Sequence, residues 1–211
     1  EDDYWQDKQL RFKLAHNDSL DASYREFVMP IAKKSMAGFT ALTGRPVNIE
    51  DAYSLSKESE FQHNRSFDEK MGYRTTSVLC IPMRNHKGEM IGVLQLINRK
   101  KAWNVKLEIE NIEENVVAFD SRCEDLASSL ASQAAVSIEN VRLYEEIQNL
   151  FEGFIVASVH AIEQRDPTTS GHSERVADLT VGLAQQIDRL DTGTYKNVKF
   201  SKDDIRQIKY A

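Results

Sequence analysis

Apolar and polar positions follow two different periods along this chain. Leu10, Phe12 and Leu14 alternate with Arg11 and Lys13, which predicts a strand over 9–15 with one buried face. Asn17-Asp18-Ser19 supplies turn chemistry. Residues 33–43 predict a short helix closed by Gly44, with Pro46 beyond it as a stop. Val47-Asn48-Ile49 reads as a short strand, and 50–72 as a polar, irregular stretch that forms the wall or lid of a pocket. Residues 76–83 and 90–97 are the strongest strands, joined by a hairpin connection over 84–89 that contains Gly88. Both strands carry apolar residues at odd and even positions, so both faces are expected to be covered, one by helices and one by a pocket. Pro82 cannot donate to a ladder and is expected at a strand end, a bulge or an edge.

Past this sheet the period lengthens. Residues 99–118 read as a charged, solvated connection, basic at Arg99-Lys100-Lys101 and acidic at Glu108, Glu110, Glu113 and Glu114. A helix is predicted from Ser121, with Ser121 and Glu124 at capping-box spacing and Phe119 placed to pin its entry. Gly153 is its only weak point before Pro167. Leu143, Ile147, Leu150, Phe154, Ala157 and Ala161 recur in alternating steps of four and three, the spacing of a two-helix seam. A helix packed inside its own domain gives the same stripe, and that alternative stands. After a break over 166–171 a new helix starts at His172, with Val176, Leu179, Leu183, Ile187 and Leu190 on its buried face. Residues 191–200 are polar, and a further helix opens with Ser201 as N-cap and Asp204 in its first turn.

Composition narrows the class. The chain has 211 residues, 41% hydrophobic and 28% charged, as in ordinary globular domains. A net charge of −6 argues against a nucleic-acid-binding surface. No apolar run approaches the about 18–20 residues a membrane span needs, and the first residues lack a signal peptide's basic start, so a cytoplasmic location is expected. Cys80 and Cys123 form no CxxC pair and are read as thiols in a reducing compartment. There is no GxSxG, GxGxxG or Walker loop. His16, His63, His86 and His160 show no ligand spacing, and the paired carboxylates Asp68-Glu69 read as solvated surface, the alternative being the border of a pocket.

Several blocks occur together in a familiar order. They are residues 35–49, the run Met71-Gly72-Tyr73-Arg74-Thr75 into Val78–Met83, the segment Ile91–Asn98, and Leu130–Val136. Residues 35–140 thereby resemble a GAF domain, the small-molecule sensor module of signalling proteins. The resemblance implies an antiparallel sheet of about six strands with helices on one face and a ligand pocket on the other. The family's first helix and strand have no clear counterpart before Leu10, so the chain is expected to begin inside the domain. Cyclic-nucleotide-binding members carry an NKFDE motif, whose counterparts are Asn98, Arg99, Phe119, Cys123 and Glu124. Arg99 keeps the lysine's charge. Cys123 stands where the aspartate would be, so the motif's ion pair is expected to be lost, and the ligand stays unidentified.

Residues 154–211 resemble the opening of an HD-GYP domain, the metal-dependent phosphodiesterases of bacterial cyclic di-GMP. The match rests on Ala161-Ile162-Glu163-Gln164-Arg165-Asp166-Pro167-Thr168-Thr169-Ser170-Gly171-His172-Ser173-Glu174-Arg175-Val176. It implies that His172 is a metal ligand in a longer parent protein holding divalent iron or manganese. Thr168 stands where some members carry a third-metal glutamate, which favours a two-metal centre there. Residues 205–211 look like the helix leading into the HD pair, and the chain is expected to stop before it. One histidine cannot hold such a centre, so this stretch alone is expected to bind no metal and to be inactive.

The expected fold is therefore α/β of the α+β kind. It comprises a GAF-type antiparallel sheet with flanking helices (1–140), a long connecting and dimerisation helix (121–165), and the all-α start of an HD-GYP domain (166–211). The expected function is a regulatory sensor of an unidentified small molecule controlling a cyclic di-GMP phosphodiesterase. It acts as a homodimer through Leu143, Ile147, Leu150 and Phe154, with no nucleic acid and no membrane span. The alternative is a non-enzymatic GAF dimerisation module with a vestigial pocket.

Overall fold

The computed structural model describes residues 8–12, 16–19, 28–164 and 171–210. It divides into two compact units, residues 1–140 and 141–211.

In the first unit, β1 (Gln9–Arg11) pairs antiparallel with β2 (Val28–Pro30). β1 is shorter than the strand expected over 9–15, whose residues 13–15 lie outside the described ones. Helix α1 (Met36–Thr43) begins three residues later than the pattern at 33 suggested. The reason is the cap: Ser35 is extended, and its Oγ accepts from Gly38 N at 3.0 Å. Glycine is required at 38, where a Cβ would fall 2.1 Å from the carbonyl oxygen of Ala32. Gly44 ends the helix in the left-handed region, φ 64°, and its N–H donates to Thr40 O.

The central sheet is antiparallel in the order β3 (Val47–Ile49), β4 (Val78–Arg84), β5 (Met90–Ile97). Asn48 stands opposite Leu79, and Ile81 opposite Leu94. β3 pairs with β4 only as far as Cys80, so Pro82 lies past that pairing, where its missing N–H removes no bond to β3. Alternation along β4 divides the core in two. Val78 and Cys80 join Met36, Phe39, Val47 and Ala52 on one face. Leu79 and Ile81 pack on the other with Ala127 and Ala131. The face expected to be open for a pocket is thus covered by α1 and the chain after β3. Phe61 lies there too, its ring 5.0 Å from that of Phe39.

Two stretches expected to be irregular have structure. Residues 50–72 hold a 3-10 turn (Ala52–Ser54) and helix α2 (Ser66–Met71). Residues 99–118, expected as a solvated loop, hold β6 (Arg99–Lys100), α3 (Ile112–Asn115) and β7 (Val116–Val117), with β6 and β7 paired antiparallel. Leu107, Ile112 and Val116 bury themselves with Tyr73 in a small core of their own. Their spacing follows no single period, so periodicity could not reveal it. Among the described residues the pairing is divided among sheets of three, two and two strands, in place of one sheet of about six. The break between β5 and β6 is Asn98, at φ 57°.

Helix α4 runs without interruption from Ser121 to Glu163, 43 residues through Gly153. Its N-terminus corrects the expected capping box. Asp120, one residue before Ser121, is the cap, and its Oδ1 accepts from Cys123 N at 2.9 Å. The sheet-facing side carries Ala127, Ala131 and Ala135, all buried, in steps of four.

The second unit holds the later part of α4 with α5 (His172–Asp188) and α6 (Lys202–Tyr210). α5 and α6 pack together. Ser201 and Asp204 cap α6 reciprocally: Asp204 N donates to Ser201 Oγ at 3.1 Å and Ser201 N to Asp204 Oδ2 at 2.8 Å. Arg206 pairs with Glu152, and Tyr210 Oη donates to the same carboxylate at 2.9 Å. The face of α5 expected to be buried is corrected in part: Ala184 is buried and Ile187 half-buried, but Leu179 and Leu183 are largely exposed, and Val176 and Leu190 partly so.

Candidate functional site

The chain reversal at Asn98 organises the edge of the sensor unit. The side chain of Asn98 is buried, and its Oδ1 accepts from Thr76 N at 2.7 Å. Its Nδ2 donates to Arg74 O at 2.7 Å and to Tyr73 Oη at 2.9 Å. Asparagine suits the place because it tolerates the left-handed region and brings both donor and acceptor. Arg99 follows directly. Its Nη1 donates to Ala118 O at 3.0 Å and to Asp120 Oδ2 at 2.8 Å. The ion pair expected to disappear with Cys123 is therefore made three residues earlier, by the residue that caps α4. The Cys123 N–H, and then Arg99, hold the Asp120 carboxyl down at about 2. Asn48 Nδ2 ties the same corner to β3, donating to Phe119 O at 3.1 Å and to Glu124 Oε2 at 3.3 Å.

A second polar centre lies at Asp68, and here the reading as solvated surface is overturned. Asp68 is 2% exposed. Its carboxylate accepts from Tyr53 Oη at 3.0 Å, Thr75 N at 2.8 Å and Thr75 Oγ1 at 2.9 Å, with His63 Nε2 at 3.0 Å. α2 holds Asp68 in place: Gly72, left-handed at φ 59°, donates its N–H to Asp68 O, as does Tyr73 N. Burial first, and the Asp68 hydrogen bond second, push the Tyr53 hydroxyl above its ordinary value of 10.0. Arg65 and Arg74 lie over the Tyr53 ring at 4.3 and 5.0 Å. No spacing rule joins Tyr53, His63, Asp68 and Thr75, which come from four separate segments. The signal available was an acid four residues before a helix-ending glycine.

Two further buried groups of the first unit carry a polar atom or a thiol. Thr40, fully buried on α1, has a hydroxyl without a hydrogen-bond partner among the described residues. Cys80 is buried, and desolvation pushes its thiol up to about 12, so it is no nucleophile.

In the second unit, His172 is the exposed first residue of α5. Residues 165–170 of the motif preceding it lie outside the described residues. Glu163 closes the head of α5: its Oε2 accepts from Gly171 N at 2.6 Å and its Oε1 from Ser173 N at 3.1 Å. Those two bonds hold the Glu163 carboxyl below its ordinary 4.5. His172 offers one nitrogen, Glu163 accepts from two backbone N–H groups, and among the described residues no group of three His, Cys, Asp or Glu side chains gathers. The seam residues Leu143, Ile147, Leu150 and Phe154 are exposed, Leu150 at 75% and Phe154 at 68%. No helix among the described residues is long and apolar enough to cross a membrane.

Comparison with known proteins gives the class. The GAF domain family model matches residues 14–138, more than half of the chain. The chain belongs to the GAF domain family, whose members are regulatory small-molecule-binding modules. Among its relatives is the cGMP-specific 3′,5′-cyclic phosphodiesterase of Drosophila erecta, 31% identical over 134 residues, 63% of this chain and 11% of the relative. The Drosophila melanogaster enzyme of the same description is 30% identical over 134 residues, 63% of this chain and 10% of the relative. The chain thus spans about a tenth of the length of these relatives. Among solved structures, a GAF domain aligns at TM-score 0.33 and 15% identity, covering 50% of this chain and 45% of the other. The GAF domain region of a Geobacter sulfurreducens PCA protein aligns at 0.35 and 19%, covering 51% and 58%.

Proposed function

We propose that this chain is the small-molecule input and transmission segment of a homodimeric signalling phosphodiesterase. In this reading the first unit binds the ligand, α4 pairs with its copy along Leu143, Ile147, Leu150 and Phe154, and α5 opens an HD-GYP output domain with His172 as its first metal ligand. The observation that carries it is α4, one uninterrupted helix that starts under the sensor sheet and ends at Glu163, whose carboxylate caps the helix that His172 begins. A helix of that kind passes a small rotation or register shift onward, and the ligand biases it only by its differential affinity for the two states.

The buried Thr40 hydroxyl supports a working pocket. An unpaired buried hydroxyl costs about 1–3 kcal/mol, which a ligand acceptor would offset. The tilted pair Phe39 and Phe61 on the α1-facing side of the sheet favours the second reading, a dimerisation module whose pocket has filled with its own side chains. Likeness to cGMP-specific phosphodiesterases makes cGMP the first probe.

Titration of the purified chain with cGMP, followed by calorimetry, tests the sensor reading. Binding that Thr40→Val weakens about tenfold supports it. Absence of binding to cGMP and to a panel of other nucleotides and small metabolites favours the filled pocket. Output is tested separately. The sequence contains no His-Asp pair and no Gly-Tyr-Pro segment. No steady hydrolysis of cyclic di-GMP is therefore expected from this chain with added iron or manganese. Steady turnover would overturn the assignment of the centre to a longer parent.

A further inference from the structure

The sheet-facing stripe of α4 does not end at its alanines. One step of four beyond Ala135 comes Glu139, on the same face, with its side chain 13% exposed. Glu139 Oε1 accepts from Asn85 Nδ2 at 2.7 Å, and Oε2 lies 3.0 Å from His86 Nδ1. Asn85 and His86 open the turn between β4 and β5. Asn85 is buried and fully used. Its N–H donates to Glu89 O at 3.0 Å, and its Oδ1 accepts from Lys87 N at 3.0 Å and Glu89 N at 2.8 Å. Its Nδ2 has two hydrogens, one for Glu139 and one for Glu89 Oε2 at 2.7 Å. The two backbone donors fix the amide's orientation, so the turn itself aims Nδ2 at the helix. His86 sets a donor against the second oxygen of Glu139, at the place where two carboxylates converge on one amide.

Glu139 is also where the sensor's hold on the helix ends. It is the penultimate residue of the first unit, and Val141, Leu143, Tyr144 and Ile147 beyond it are exposed. We propose that Asn85, His86 and Glu139 form a latch through which the β4–β5 turn fixes the point where α4 leaves the sensor domain, with Glu139 as its positioning residue. β5 leads from this turn to Val93, which packs on the α1-facing core with Phe39 and Phe61. The latch therefore stands at the end of a path from the α1-facing side of the sheet to the helix. That direction of signalling rests on the sensor reading. The latch itself does not, and its test uses no ligand.

Hydrogen exchange of the full 211-residue chain decides it. Glu139→Ala is expected to speed exchange of amides 136–143 about tenfold, leaving 78–84 and 125–131 within about twofold of the unaltered chain. His86→Ala is expected to affect the same segment by a smaller factor, because it removes one of the two bonds to Glu139. Unchanged exchange over 136–143 in Glu139→Ala would overturn the latch. Equal acceleration of all three segments in both variants would overturn it as well, since that marks general destabilisation.

Discussion

Asp68 shows what a single side chain does in this fold. It is a carboxylate with almost no access to water, and four polar contacts from three residues offset its burial: Tyr53, His63, and Thr75 through both its backbone and its hydroxyl. Together they pin α2 and the 3-10 turn to the start of β4. Asp68→Ala leaves those donors without an acceptor, and a loss of about 3 kcal/mol in unfolding free energy is expected. The midpoint of a urea titration, at unchanged slope, measures it. A loss below about 1 kcal/mol would show that water replaces the carboxylate freely. Sequence could not reveal this knot. Asp68 stands beside Glu69 in a stretch rich in polar residues, and burial came from segments up to 15 residues away. His172 and the Asn98-Arg99 step were picked out because their neighbours in sequence carry a family pattern. Glu163 and Asp120 were passed over because each works on a backbone N–H, which leaves no trace in composition.

Among the elements, long periods were legible and caps were less so. The strands expected over 76–83 and 90–97, found at Val78–Arg84 and Met90–Ile97, followed from apolar runs flanking a glycine-containing connection, the long helix from helical spacing, and the turn at Gly44 from glycine. α4 starts at Ser121 as its pattern suggests, but its cap was misassigned, because Ser121 and Asp120 can both cap and Arg99, distant in sequence, pairs with Asp120. The depressed Asp120 carboxyl makes this testable. Its folded value lies below the ordinary 3.8, so its hold on the first turn of α4 is complete above about 3.8 and is lost as pH falls through about 2. A carbon-detected NMR titration is expected to place its midpoint near 2, and Arg99→Gln to raise that midpoint only part of the way. The helix N–H of Cys123 remains and is the larger cause. A midpoint of 3.8 in the unaltered protein would mean that Asp120 does not cap α4 in solution.

At the scale of the whole molecule, the apolar faces matter most. Leu143, Ile147, Leu150 and Phe154 are exposed, as are Val176, Leu179 and Leu183. Such a stripe in water favours association. Its four-three spacing is that of a seam between two helices, and the proposed occupant of that seam is the same helix of a second copy. The spacing was visible in the sequence. Whether the helix used it inside its own domain was not, because a buried helix carries the same pattern. The exposure of these four residues within this chain removes that ambiguity for their packing here and leaves the partner to be measured. The most direct measurement is sedimentation velocity at low micromolar concentration on the unaltered chain and on the variant carrying Leu150→Glu and Phe154→Glu. A dimer is expected for the first, and for the second a monomer whose circular dichroism is unchanged. A variant that sediments as a dimer would contradict the seam, and with it the transmission of the sensor's signal through α4.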